Sequence, residues 1–365
     1  MDTDGSELLE VARTGEYAVV RDPTGEWWAE FLDTGANFDY LLGSVYGAFF
    51  RDFQDDYEFL NIVIVRELGL PFAFCQPLAN DVTGLGFSGE FDETPDNRVE
   101  AMIFMNEAAR WIEDPVVGRY VFEQEVMHRW GAYVGVAGLP DQEHLGRDGM
   151  HWSFWMDTPN SPMEGNRWVD NGDGTWTTDG AAVSTYSELD LYLMGFMEPE
   201  EVPQQTLLVP THGLDGNDAS SKPIGHAGES DLTVEATAIH FGIEDIIAVE
   251  GRRRPGAGNS PRQFHMAMIV VLLHDDVLTP DLADELDAMR VRWEEDWEED
   301  VRGLATLDTT LGPNTAPDFF APWEKDPPGE EVDDACSCET PGIASGWLLV
   351  VAGLAVRRLR ARRRA

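Results

Sequence analysis

Apolar residues fall along this chain in two rhythms. Short continuous runs rich in β-branched residues read as buried strands: Phe59-Leu60-Asn61-Ile62-Val63-Ile64-Val65, Val99 to Met105, and Met266 to Leu273. Helical spacing governs two longer stretches. One opens at Pro115, a favourable first-turn residue, and is predicted to continue to about Val136. The other runs from Pro280 to about Arg302, with Leu282, Leu286, Met289, Trp293 and Trp297 forming one apolar stripe beneath an acidic face. Between them, Ser187 and Asp190 match a capping box that opens a short helix, and Gly195 is placed to end it. The segment from Trp168 to Trp176 carries Asn-Gly and Asp-Gly pairs between aromatic residues and reads as a hairpin. A calcium loop would need a Glu at its twelfth position, which is missing. No repeat of fixed period is present, which excludes a solenoid or propeller. The pattern predicts an α+β fold: a small mixed sheet packed on a long helix at about 115–136, followed by a mixed helical and β subdomain.

Composition sharpens this in one respect. The 365 residues contain 68 Asp and Glu against 25 Lys and Arg, a net charge of −43, and the only lysines are Lys222 and Lys325. Such a surface repels phosphate backbones, so nucleic acid is not expected as a partner. The three cysteines, Cys75, Cys336 and Cys338, are too few for a disulfide framework, and Cys75 sits in an apolar context that reads as core.

The C-terminal region has its own order. From Pro313 the chain is rich in proline and acid, an extended spacer expected over 313–335 after a body of residues 1–312. Cys336-Ser337-Cys338 follows, then an uncharged run from Gly342 to Val356, then Arg357, Arg358, Arg360, Arg362, Arg363 and Arg364. The run spans about 22 Å as a helix, against a hydrocarbon core of about 30 Å, which makes it a short membrane anchor. Its arginine cluster is expected in the cytoplasm and the body outside. Spacer, Cys motif, short apolar helix and Arg cluster together resemble the sorting tail of myxobacterial surface proteins, called MYXO-CTERM. The resemblance covers about the last thirty residues and implies export, cell-surface display and a processing protease acting at Cys336 or Cys338. Residues Met1 to Ser6 lack the basic and apolar regions of a leader, so the expectation is a misassigned start or a fragment.

Candidate chemistry lies in the Pro115 helix, at Glu123-Gln124-Glu125-Val126-Met127-His128-Arg129-Trp130-Gly131. A zinc peptidase helix needs two imidazoles one turn apart, with a Glu after the first to take a proton from metal-activated water. Here the His-Glu-x-x-His pattern has Gln124 at its first position, with Glu125 and His128 in place. Together with Asp55 to Phe59, Asn80 to Gly86, His151-Trp152-Ser153-Phe154, Ser161 to Asn166, Leu189 to Gly195, Asp245-Ile246-Ile247 and Glu250-Gly251-Arg252, this order resembles secreted, zincin-like bacterial proteins over roughly residues 50–311. The resemblance implies a zincin-like fold, zinc as the metal and a peptide or protein outside the cell as the substrate. It assigns Glu125 as the base, with His128 and Gln124 at the metal-ligand positions. A third ligand comes from downstream in zincins, which points to Asp190 or Glu188, with His151 next.

Each residue also has a plainer reading. His128 beside Met127 and Trp130 fits a hydrogen-bonded core histidine, Glu125 a solvated helix residue, His151 a packed one and Asp190 a helix cap. Arg252, Arg253 and Arg254 are expected to pair with the acidic surface, the alternative being a substrate carboxylate. The amide of Gln124 is a weaker zinc ligand than imidazole, so the sequence leaves a surface-anchored metallopeptidase-like enzyme or a catalytically inactive zincin-fold surface or adhesion protein, with a structural envelope protein unrelated to zincins as a third reading.

Overall fold

A computed structural model describes residues 4–68, 73–87, 98–139, 143–146, 149–179, 185–212 and 232–319. The chain divides into two units, 1–319 and 320–365. The second, with Cys336, Cys338, the apolar run and the arginine cluster, lies outside the described residues. Among those that are described, no helix is long and apolar enough to cross a membrane.

Seven α-helices and two mixed sheets make up the described part of the first unit. A hairpin of β1 (Glu10–Thr14) and β2 (Tyr17–Arg21) precedes α1 (Glu26–Asp33) and α2 (Phe38–Phe49). Then come β3 (Phe59–Ile64), β4 (Phe74–Pro77), β5 (Ala101–Glu107), α3 (Ala108–Glu113) and the motif helix α4 (Pro115–Met127). The second sheet takes β6 (Trp152–Asp157), β7 (Glu164–Asn166), β8 (Trp168–Asp170) and β9 (Thr175–Thr178), and α5 (Glu188–Met194) follows them. The chain continues through β10 (Gln205–Pro210), β11 (Thr233–Phe241), α6 (Ile243–Glu250), β12 (Gln263–Leu272), α7 (Pro280–Asp300) and β13 (Thr306–Asp308).

The first sheet has the order β1-β2-β12-β3-β5-β4, and β13 pairs with the start of β12. Strand β12 runs parallel to both β2 and β3, while β4 is an antiparallel edge on β5. The sheet is larger than the small one the sequence predicts, because the apolar run near 266–273 comes from late in the chain and inserts at its centre. Its strands are apolar on both faces, as expected of strands covered on both sides. Leu60, Ile62 and Ile64 pack into the cluster built with Trp27, Phe31, Leu41 and Phe49 of α1 and α2. On the opposite face Phe59 meets Trp130 and Phe264, and the helical layer there is closed by Phe122 of α4 stacked on Trp293 of α7 at 4.8 Å.

Helix α4 begins as expected: Asp114 caps it by accepting from Val117 N at 3.2 Å, with Pro115 in the first turn. It ends nine residues earlier than predicted. His128 is its C-cap, Trp130 N donates to the Met127 carbonyl at 2.8 Å, and Gly131 N reaches the same carbonyl at 3.0 Å. Two features stop the helix there. Glycine is a poor helix former, and the Tyr133 hydroxyl donates to the His128 carbonyl at 2.5 Å, taking an acceptor that a further turn would use. Downstream, the predicted β8–β9 hairpin forms, with Trp168 to Asp170 opposite Trp176 to Thr178. The stripe of α7 buries Leu286, Met289, Trp293 and Trp297, as its spacing predicts, while Leu282 in the first turn is only half-buried.

Residues 313–319 depart from the expected spacer. Gln54 N donates to the Pro313 carbonyl, Thr315 N to the Asp52 carbonyl, Arg13 N to the Pro317 carbonyl and Phe319 N to the Arg13 carbonyl. Arg13 also pairs with Asp318 at 2.9 Å. The body therefore extends at least to Phe319, beyond the expected end at 312. The rest of the spacer lies outside the described residues.

Candidate metal centre

The last turn of α4 and the residue before β6 bring three of the predicted side chains together. The amide end of Gln124 lies 2.5 Å from His151 Nε2, and His128 Nε2 lies 3.2 Å from the same nitrogen. The two imidazoles stand nearly perpendicular, at 88°, with ring centroids 4.7 Å apart. Gln124 and His128 share one helix face because they are four residues apart. His151 is presented by backbone bonds on both sides: its carbonyl accepts from Gly146 N at 2.7 Å, and Trp152 N donates to the Met163 carbonyl at 2.8 Å.

The tautomer of His128 follows from its other bond. Nδ1 faces the Gly131 carbonyl at 3.2 Å, and a carbonyl can only accept, so Nδ1 carries the proton and Nε2 of the neutral ring is the basic nitrogen. That nitrogen is aimed at His151 Nε2. A bond between the two rings then requires His151 Nε2 to donate, and Gln124 must turn its carbonyl oxygen toward it, since amide nitrogen and oxygen are interchangeable in shape. A shared cation satisfies the two imidazole nitrogens as well. Nitrogens bound at about 2.0–2.1 Å to a tetrahedral zinc stand roughly 3.3 Å apart, close to the 3.2 Å between His128 Nε2 and His151 Nε2; the 2.5 Å between the Gln124 amide and His151 is a hydrogen-bond distance instead. The geometry thus fits two imidazole ligands, with the Gln124 amide hydrogen-bonded to one of them.

The three side chains of this centre are almost fully enclosed, with exposures of 4% for Gln124, 7% for His128 and 4% for His151, and so is the neighbouring Glu125 at 5%. Glu125 is therefore not the solvated helix residue of the plainer reading. Its charge acts on Cys75, which lies half-buried on the edge strand β4 rather than in the core; desolvation, reinforced by Glu125 and opposed by Arg129, holds the thiol well above its ordinary range. Arg129, also buried, is anchored by Glu100 at 2.7 Å.

The downstream carboxylates have other tasks. Glu188 pairs with Arg302 at 2.8 Å. Asp190 is fully buried and forms the capping box of α5: its Oδ2 accepts from the Ser187 backbone at 2.8 Å and from the Ser187 and Ser161 hydroxyls, both at 2.7 Å. Oδ1 accepts from the Trp152 indole at 2.8 Å. Among the described residues, no group of three or more His, Cys, Asp or Glu side chains is arranged to hold a metal. So of the three downstream candidates, the structure gathers His151 and leaves Asp190 and Glu188 at α5. Of the arginines, Arg252 pairs with Glu200 as expected, whereas Arg253 is buried and donates to the Leu193 and Met194 carbonyls at the end of α5. The contributions of the Gly131 carbonyl and Tyr133 have no signal in the sequence beyond their closeness to His128. No known protein-family model matches this chain, and no curated protein or solved structure shows significant similarity to it.

Proposed function

We propose that this chain is an exported, surface-anchored metallopeptidase-like protein with its centre at the end of α4. The meeting of the Gln124 amide and His128 Nε2 at one atom, His151 Nε2, at 2.5 and 3.2 Å, carries the proposal. In this reading His128 and His151 hold zinc, and the Gln124 carbonyl oxygen, once released from its bond to His151, is a third, weaker ligand. Bound zinc would supply an electrophile and an acidified water for attack on a peptide carbonyl. Glu125, next to Gln124 and nearly enclosed, is the group that accepts the proton. The Gly131 carbonyl fixes the His128 tautomer that leaves Nε2 basic, a support typical of metal-bound histidine. The C-terminal sorting tail, the membrane anchor and processing at Cys336 or Cys338 complete the reading, with a peptide or protein outside the cell as substrate.

The alternative is an inactive surface or adhesion protein on the same frame. It is favoured by the neutral amide of Gln124, bonded to His151 where an imidazole ligand is expected, and by the engagement of Asp190 and Glu188 with other partners. Zinc titration of the full chain separates the readings. Wild type is expected to bind zinc weakly, Gln124→His to bind it at least tenfold more tightly, and His128→Ala or His151→Ala to lose it. If Gln124→His gains nothing, the metal centre is refuted. Zinc bound without any hydrolysis of peptide libraries would favour the inactive form.

A further inference from the structure

A closed circuit of bonds links His151 to the motif helix through the start of α5. On the His151 side, Asp190 grips the neighbouring residue Trp152 twice. It accepts directly from the indole nitrogen at 2.8 Å. It also accepts from the Ser161 hydroxyl, whose oxygen receives Met163 N at 2.9 Å, and the Met163 carbonyl receives Trp152 N at 2.8 Å. Side chain and main chain of Trp152 are thus both referred to one carboxylate. On the helix side, Tyr186, fully buried and immediately before the Ser187 cap, donates to the Glu123 carbonyl at 2.7 Å. Glu123 directly precedes Gln124, and Gln124 meets His151.

We infer that Asp190 and Tyr186 are positioning residues that fix the separation of His151 from Gln124 and His128, bracketing the centre from either side of the Ser187 cap. This inference rests on the metal-centre reading for its purpose, though the bracket itself is a property of the protein without metal. Asp190 suits the task because its two oxygens take four donors. Two of these, the indole and the Ser187 backbone N–H, cannot accept in return. An asparagine would have to point its NH2 at one of them whichever way it is turned.

The test uses the full chain and three substitutions, Trp152→Phe, Tyr186→Phe and Asp190→Asn, with Tyr57→Phe as a control. The control removes another buried hydroxyl, which accepts from Gly312 N at 2.7 Å and does not belong to the circuit. Two readouts are taken: the ring resonances of His128 and His151 in the metal-free protein, and the visible spectrum during titration with cobalt(II). Trp152→Phe and Tyr186→Phe are expected to shift the His151 ring resonances and to weaken cobalt(II) binding by about tenfold or more, as loss of supporting bonds around a metal ligand commonly does. Tyr57→Phe should do neither. Tyr186→Phe is the sharper probe because its hydroxyl bonds a helix carbonyl rather than an imidazole. Unchanged resonances and cobalt(II) affinity in both Trp152→Phe and Tyr186→Phe overturn the inference, even if Asp190→Asn fails to fold. If wild type shows no cobalt(II) bands, the metal-centre reading fails separately. The bracket then stands on shifted ring resonances, or falls on unshifted ones.

Discussion

Asp190 and Glu123 are both fully buried carboxylates on helices joined through Tyr186, and they meet the cost of burial in opposite ways. Around Asp190 the neighbours are neutral donors, and their four hydrogen bonds counter the effect of burial, which still raises its pKa. Around Glu123 the neighbours are charged. Arg119 of α4 reaches Glu123 at 3.1 Å, Asp296 at 3.0 Å, Glu299 at 3.3 Å and Asp300 at 2.8 Å. One guanidinium serves four carboxylates. Burial first, then the hydrogen bond and charge of Asp300, hold the Glu123 carboxyl well above its ordinary range, with Arg119 opposing. A carboxylate enclosed by dipoles is held in place, whereas one enclosed by other carboxylates depends on a cation and a proton.

Removing the cation should break this contrast most severely. Arg119→Met leaves the buried Glu123 and Asp300 without their counter-charge, and a loss of about 3–5 kcal/mol is expected in urea unfolding. A loss below about 1 kcal/mol would mean that the carboxylates are already neutral together. Next comes Asp190→Asn, which exchanges an acceptor for a donor among fixed donors. Its expected cost is about 1.5–3 kcal/mol in the same measurement. Equal stability to wild type would show that the nest does not need the charge.

Smaller and dependent on pH is Glu123→Gln. A carboxyl whose folded pKa is raised takes up a proton on folding. Its contribution is complete below the ordinary value of 4.5 and is lost as pH rises through the raised folded value. Thermal melts of Glu123→Gln should therefore gain on wild type as pH increases across that window. A constant difference between the two proteins would contradict the sharing of a proton within the cluster. Smallest is the effect at Cys75. With its thiol held up by burial and Glu125, alkylation by iodoacetamide at pH 8 should be slower than in the unfolded chain and faster in Glu125→Gln, followed by peptide mass mapping. A Cys75 that reacts at the unfolded rate would place the Glu125 charge elsewhere.

How much of this was readable beforehand varied with the range of the interaction. The apolar runs of β3, β5 and β12, the stripe of α7 and the Ser187–Asp190 cap were legible because each is decided within a few residues. The end of α4 was not, since it depends on Tyr133 reaching back to a carbonyl. The insertion of β12 between β2 and β3 was hidden for the same reason, as its neighbours lie about 200 or more residues away in sequence. At the candidate centre, the helix spacing foretold that Gln124 and His128 would share a face. The choice of His151 over Asp190 depended on which bonds the carboxylate already held, and no local pattern encodes that.

The late arrival of β12 has a consequence for synthesis. Until residues 263–272 have emerged, β2 and β3 have no strand between them, and each presents an unpaired edge of backbone donors and acceptors. A nascent or truncated chain stopping before that point is therefore a sticky intermediate rather than a smaller version of the protein. Its safe folding requires either prompt completion of the polypeptide or something that shields those two edges meanwhile.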